Sequence, residues 1–130
     1  MGTYNHYYEL PVYKTCRMFR KKITAIVKKY LPKQEQFLLK AQVLDACRSV
    51  TANIAEGFGR FHYQENIQFC RQSRGSLCES LEHMVTAYDD KYITREILRE
   101  VNKDYKDSLK QLNGYIKYLK TAKQGGDNNK

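Results

Sequence analysis

Four long stretches of this chain repeat apolar side chains every three or four residues, and no stretch alternates them every second residue. That period matches the turn of an α-helix and leaves a sheet without a sequence basis. The first stretch runs from Tyr8 to Leu31, with Val12, Cys16, Phe19, Ile23, Ile26 and Tyr30 on one stripe and Pro32 as its stop. The second runs from Glu35 to Glu56 through Phe37, Ala41, Leu44, Cys47, Val50 and Ile54. Gly57 suits a left-handed cap just past its end. The third, Tyr63 to Tyr88, keeps a seven-residue repeat through Ile67, Cys70, Arg74, Leu77, Leu81, Met84 and Tyr88, which Arg74 alone interrupts with a charge. The fourth starts at a Thr94 N-cap and runs to about Lys120 through Leu98, Val101, Tyr105, Leu109, Leu112, Ile116 and Leu119. Four amphipathic helices of similar length joined by short loops predict an all-α, antiparallel up-down-up-down bundle.

At 130 residues the chain is long enough to bury one core without staples. We expect an N-terminal arm over residues 1–7, the bundle over 8–121 and a disordered tail over 122–130. Cys16, Cys47, Cys70 and Cys78 form no CxxC pair, and each falls in or beside an apolar stripe. They read as small buried thiols in a reducing cytoplasm rather than as zinc ligands. The start, MGTYNHYYELP, lacks the basic and apolar regions of a signal peptide, and no apolar run is long enough to span a bilayer. We expect no membrane contact, metal or other cofactor.

The formal net charge of +9 argues for an anionic partner, and nucleic acid is the commonest one. The charge is organised. Lys14, Arg17, Lys21 and Lys28 line one face of the first helix, with Arg20, Lys22 and Lys29 beside them, and no acid follows Glu9 in that helix. Lys103, Lys106, Lys110, Lys117 and Lys120 line one face of the fourth. A solvated face normally mixes signs. The first helix does not, so both lines are candidates for holding phosphates. Tyr115 and Tyr118, near the second line, are candidates for stacking on unpaired bases, although tyrosines also serve as core edges.

Catalytic patterns are missing. The histidines are His6, His62 and His83, and none lies in HExxH. The positions that would hold the arginine of a helical ribonuclease motif are Ala55–Gly57 before His62 and Ser76–Cys78 before His83, and none is arginine. There is no GxSxG and no phosphate-binding loop. We expect no enzyme.

The stretch SVTANIAEGFGR, Ser49 to Arg60, is the oddest in the chain. Ser49, Ala52 and Ala55 form a line of small residues, and Gly75 is a second small spot, at roughly 1 kcal/mol relative to alanine inside a helix. Small residues let helix axes approach closely, within one subunit or between subunits. Glu56 lies in the last turn of its helix, where a negative charge is disfavoured. Arg48, Arg60, Arg71 and Arg74 are its candidate partners. Arg74 is the most pressing, because its heptad position points inward, unless both charges simply reach the rim.

SVTANIAEGFGR, followed by ENIQFC and RGSLCE, resembles the signature of the four-helix bundle proteins encoded in 23S rRNA intervening sequences. LPVYKTCRMF is similar to that family's first-helix start, with Tyr13 where a tryptophan is common. GRFHYQENIQFCRQSRGSL resembles a related branch more closely, the accessory variability determinants (Avd) of diversity-generating retroelements. The resemblance covers about residues 8 to 120. It implies a homopentamer of bundles around a central channel, with a basic outer surface. It also implies a non-catalytic partner that binds a reverse transcriptase and its template RNA, with cDNA as a further ligand. Asn53, Glu56, Gly57, Arg60, Glu65, Gly75 and Glu79 match the motif and carry over as structural or interface positions, with Arg74 beside them. Thr51 stands where the family often has proline, which leaves a kink there without its residue. The rRNA-insert branch implies instead a stand-alone, RNA-associated structural bundle.

Overall fold

The computed structural model describes residues 4–125. Its elements are α1 (Pro11–Tyr30), α2 (Leu39–Gly59), α3 (Tyr63–Asp89) and α4 (Arg95–Gln124), with short 3-10 turns at Tyr7–Glu9 and Lys33–Glu35. Among the described residues no strand forms. Each helix packs on the next, and α4 closes back on α1, while the backbones of the diagonal pairs α1/α3 and α2/α4 stay further apart. This is the expected up-down-up-down bundle.

Local chemistry sets most of the helix ends. The Glu9 carboxylate accepts the backbone N–H groups of Asn5 (2.9 Å) and His6 (3.0 Å), and Pro11 then opens α1, where its missing N–H costs nothing. The Leu31 N–H still reaches the Val27 carbonyl (3.1 Å) before Pro32 ends the run. Thr94 caps α4 through its side-chain oxygen, which accepts from the Ile97 N–H. The α4 helix runs to Gln124, past the expected end, and residues 126–130 of the predicted tail lie outside the described residues.

The core contains the predicted stripe residues Cys16, Phe19, Ile23, Cys47, Val50, Ile54, Ile67, Leu77, Met84, Val101, Leu112 and Leu119. Several expectations fail. In α3 the inward positions are Ser73, Ser80 and Ala87, while Arg74 and Leu81 sit half-buried at the rim and Tyr88 is exposed. The cause is the close α2–α3 approach. Ser73 is buried against α2, and its hydroxyl donates to the Val50 carbonyl at 2.6 Å. Phe37 is 85% exposed rather than in the α2 stripe. The chain turns through residues 33–38, the helix begins at Leu39, and Leu39 takes the core position. Gly57 is not a left-handed cap. It lies inside α2, and the positive φ falls on Phe61 (62°). Cys78 is exposed, one residue off the buried Leu77, and the other three thiols are buried as expected.

Candidate nucleic-acid interface

Because α1 and α4 are neighbours, their lysine lines lie on adjacent helices. Lys14, Arg17, Lys21, Lys28 and Lys29 are exposed along α1, and Lys103, Lys106, Lys110, Lys117 and Lys120 are exposed along α4. Spacings of three, four and seven keep a line on one side of a helix. The lysines at the end of α1, Lys28 and Lys29, also offset the partial negative charge of that helix terminus.

Two of the candidate cations are engaged elsewhere. The Arg20 guanidinium turns towards α2 and donates to the Thr51 hydroxyl at 2.7 Å. Lys22 reaches across to α4 and pairs with Asp104 at 2.9 Å. That hydrogen bond holds the Lys22 ammonium above its ordinary pKa, against the opposing effect of burial. Asp104 and Asp107 line the groove between the two helices, together with Thr15, Met18, Phe19, Lys22 and Ser108. The acids that α1 lacks are therefore supplied by α4 along the shared seam. The basic surface is two strips flanking a seam of mixed charge, not one continuous sheet.

The aromatic candidates separate. Tyr115 is buried, and its hydroxyl accepts from the Asn66 side-chain amide at 3.2 Å. Burial pushes the Tyr115 phenol well above its ordinary pKa, so it stays neutral. Tyr118 stacks on Tyr115, with ring centroids 6.3 Å apart. Tyr115 is a core residue and cannot stack on a base. Cys16 is likewise inert, because burial pushes its thiol up to about 12 against the neighbouring Ser108 hydroxyl.

Asn53, Glu56, Gly57, Arg60 and Glu65 gather along the seam of α2 and α3. The Asn53 amide donates to the Ser49 carbonyl (2.9 Å) and hydroxyl (3.0 Å), and the Ser49 and Ser76 hydroxyls join the two helices at 2.9 Å. Glu56 pairs with Arg60 at 3.1 Å, Arg60 approaches Glu65 at 3.7 Å, and its guanidinium lies 5.1 Å from the Phe69 ring centre. Arg74 is not the partner of Glu56. Its guanidinium donates to the Asn113 side-chain oxygen of α4 at 2.9 Å. At the rim it needs no carboxylate, and i,i+4 geometry already gives Glu56 a cation. Glu79 lies 3.5 Å from His83. A shallow concavity of ≈ 680 Å³ opens beside Asp45, Arg48, Ala52, Asn53, Glu56 and Arg60. Gly57 is buried against α3, whereas Gly75 is exposed, and a Cβ added to it would meet nothing within 4 Å.

Sequence reasoning missed the buried Asn66–Tyr115 bond, the Arg20–Thr51 bond and the Tyr92 hydroxyl donating to Glu35 at 2.7 Å. Polar residues next to a stripe were the available signal, but their partners come from other helices. Among the described residues no group of three metal-binding side chains comes together, and no helix is long and apolar enough to cross a membrane.

Fold and surface together define an all-α four-helix bundle with basic outer strips and a motif-bearing seam. The family model described as 23S rRNA-intervening sequence protein matches residues 8–114, and the chain belongs to that family. Among solved structures it is similar to a protein from Bacteroides thetaiotaomicron VPI-5482, described as having unknown function and coming from the S23 ribosomal protein family. The two chains are 24% identical with a TM-score of 0.74, over 82% of this chain and 98% of that one, which shows the shared fold. No curated protein matches.

Proposed function

We propose that this chain is a non-enzymatic, RNA-binding accessory protein of the cytoplasm. In this reading it assembles as a homopentamer and joins a reverse transcriptase to its template RNA in a diversity-generating retroelement, supporting mutagenic cDNA synthesis. The observation that carries the reading is the pair of exposed lysine strips on α1 and α4, where Lys22 alone of the strip lysines is in an ion pair among the described residues. Such a surface holds a nucleic-acid backbone without reading its sequence, since phosphate contacts position and base contacts specify. Specificity then comes from the polymerase and from RNA structure.

Assembly is supported by the outer α2–α3 seam. Ala52 and Gly75 are exposed, so their small size serves no packing inside one subunit. It suits the approach of a second copy. A ring multiplies the basic strips and adds avidity. Light scattering coupled to size exclusion then gives five chain masses, and a monomer removes the ring.

The decisive experiment is reconstitution of the polymerase and template RNA with and without this protein, scored for full-length cDNA. The reading expects more cDNA and co-purification of the polymerase when the protein is present. Equal yield without co-purification leaves the second reading, a stand-alone RNA-associated structural bundle encoded in a 23S rRNA intervening sequence. The matched family's own description favours that second reading. A reverse transcriptase gene beside a template repeat separates the two.

A further inference from the structure

The segment joining α1 to α2, KKYLPKQEQFLLK from Lys28 to Lys40, exposes what a fold normally hides. Phe37 is 85% exposed and Leu38 61%, and no other large apolar side chain among the described residues is as exposed as Phe37. The segment is nonetheless firmly held. Leu31 and Leu39 are buried at its two ends. The Leu38 N–H bonds the Glu35 carbonyl at 3.0 Å, the Glu35 carboxylate accepts the Leu39 N–H at 3.2 Å, and its other oxygen accepts the Tyr92 hydroxyl at 2.7 Å. Phe37 is therefore presented by an ordered turn rather than left out by a loose one.

The segment carries four lysines and one carboxylate, and the Asp90 carboxylate of the turn between α3 and α4 lies near Tyr92 beside it. Lys28, Lys29 and Lys33 are exposed and Lys40 is half-buried, while Glu35, the segment's only carboxylate, has both oxygens engaged within the protein. The Lys29 ammonium lies 5.2 Å from the centre of the Tyr30 ring, so cation and aromatic surface already interleave. The lysine line of α1 ends at Lys28, where this segment begins.

We propose that the Lys28–Lys40 segment is a docking site for single-stranded nucleic acid, in which Phe37 stacks on an unpaired base and the surrounding lysines hold the flanking phosphates. It rests on the RNA-binding reading above and adds the strand state of the ligand. A backbone following the α1 line arrives at an exposed ring, and every base has a face on which a ring can stack. A duplex keeps those faces inside its own stack, apart from the outer faces of its two terminal pairs. Tyr115, buried under Asn66, cannot take this role.

The test compares a short single-stranded RNA carrying 2-aminopurine with a blunt RNA duplex of equal length, using the full chain and its Phe37→Ala variant. Phe37 lies outside the core, so the variant keeps its helicity, which circular dichroism checks. Wild type changes the aminopurine fluorescence. The variant loses that change and binds the single strand on the order of tenfold more weakly, with the duplex affinity and the salt dependence unmoved. A Lys33→Gln/Lys40→Gln variant keeps the fluorescence change and flattens the salt dependence. Equal single-strand binding by wild type and Phe37→Ala overturns the proposal, and so does an equal loss on both RNAs. So does a loss confined to anionic phospholipid vesicles, which makes the tip a lipid contact. If wild type binds neither RNA at low salt, the RNA-binding reading itself falls, and this proposal with it.

Discussion

Gly57 of α2 and Asn66 of α3 approach so closely that a Cβ on Gly57 would stand 2.6 Å from the Asn66 side-chain oxygen. It would also lie 2.9 Å from the Phe69 Cβ and 3.2 Å from the Asn66 carbonyl. Asn66 has no room to retreat, being fully buried with its amide on Tyr115 and its oxygen accepting from the Cys70 thiol. The glycine in AEGFG is thus a contact between helices and not a turn residue.

Gly57→Ala is therefore expected to destabilise the bundle. Overpacking costs about 1–3 kcal/mol, against about 1 kcal/mol gained in helix propensity, and the close atoms here belong to a seam that cannot open. Gly75→Ala, whose Cβ would meet nothing within its own subunit, is expected to stabilise the isolated, unassembled subunit by roughly 0.5–1 kcal/mol. Thermal melts of the two variants check both signs. A Gly57→Ala melt at or above wild type would mean that the seam relaxes.

Glu56 and Arg74 are expected to act independently. Glu56 is satisfied by Arg60 and Arg74 by Asn113, both at the rim. Glu56→Gln and Arg74→Leu should each change stability by about 1 kcal/mol or less, as exposed polar pairs do. Their double variant should be additive within about 0.5 kcal/mol. Coupling well beyond that would place the two charges side by side.

Stability is expected to fall in alkali. Burial raises the Cys16 thiol from an ordinary 9.0 to about 12, and it also raises the Cys47 thiol and the Tyr115 phenol. Below 9.0 the Cys16 thiol is protonated in both folded and unfolded chains. From 9.0 to about 12 the unfolded chain releases that proton and the folded chain keeps it, so folding weakens as pH rises. Each such group contributes up to about 1.4 kcal/mol per pH unit in its window. Melting temperature against pH should be level near neutrality and drop in alkali, less steeply in Cys16→Ala than in wild type. Equal slopes would contradict this assignment.

The sequence made some of this legible and hid the rest for physical reasons. Ile23, Cys47 and Leu112 sit where the helical period puts them, because each stripe faces the centre. The α3 register departs from the seven-residue repeat at Arg74 because that repeat assumes evenly spaced helices. The Gly57–Asn66 contact draws α2 and α3 together, and Ser73 and Ser80 become the inward positions. Phe37 continues the α2 spacing backwards, but after Pro32 the chain turns at Lys33–Glu35 and α2 begins only at Leu39, with no proline or glycine among residues 33–38 to mark the delay. The lysine lines are readable on each helix separately. The seam between them is not, since Lys22 and Asp104 are far apart in sequence and meet only when α4 closes on α1.

The central claim is that the outer strips of α1 and α4 bind RNA through its phosphates. The most direct measurement is the affinity for a labelled single-stranded RNA across a salt series, for wild type and for a Lys21→Gln/Lys28→Gln/Lys110→Gln/Lys117→Gln variant. All four lysines are exposed, so the variant folds as wild type does. Wild-type affinity should fall steeply with salt, and the variant should bind more weakly, with a log–log slope flatter by about 0.7 for each phosphate it no longer neutralises. Identical affinity and slope in the two proteins would contradict the claim and leave the strips as solvated faces.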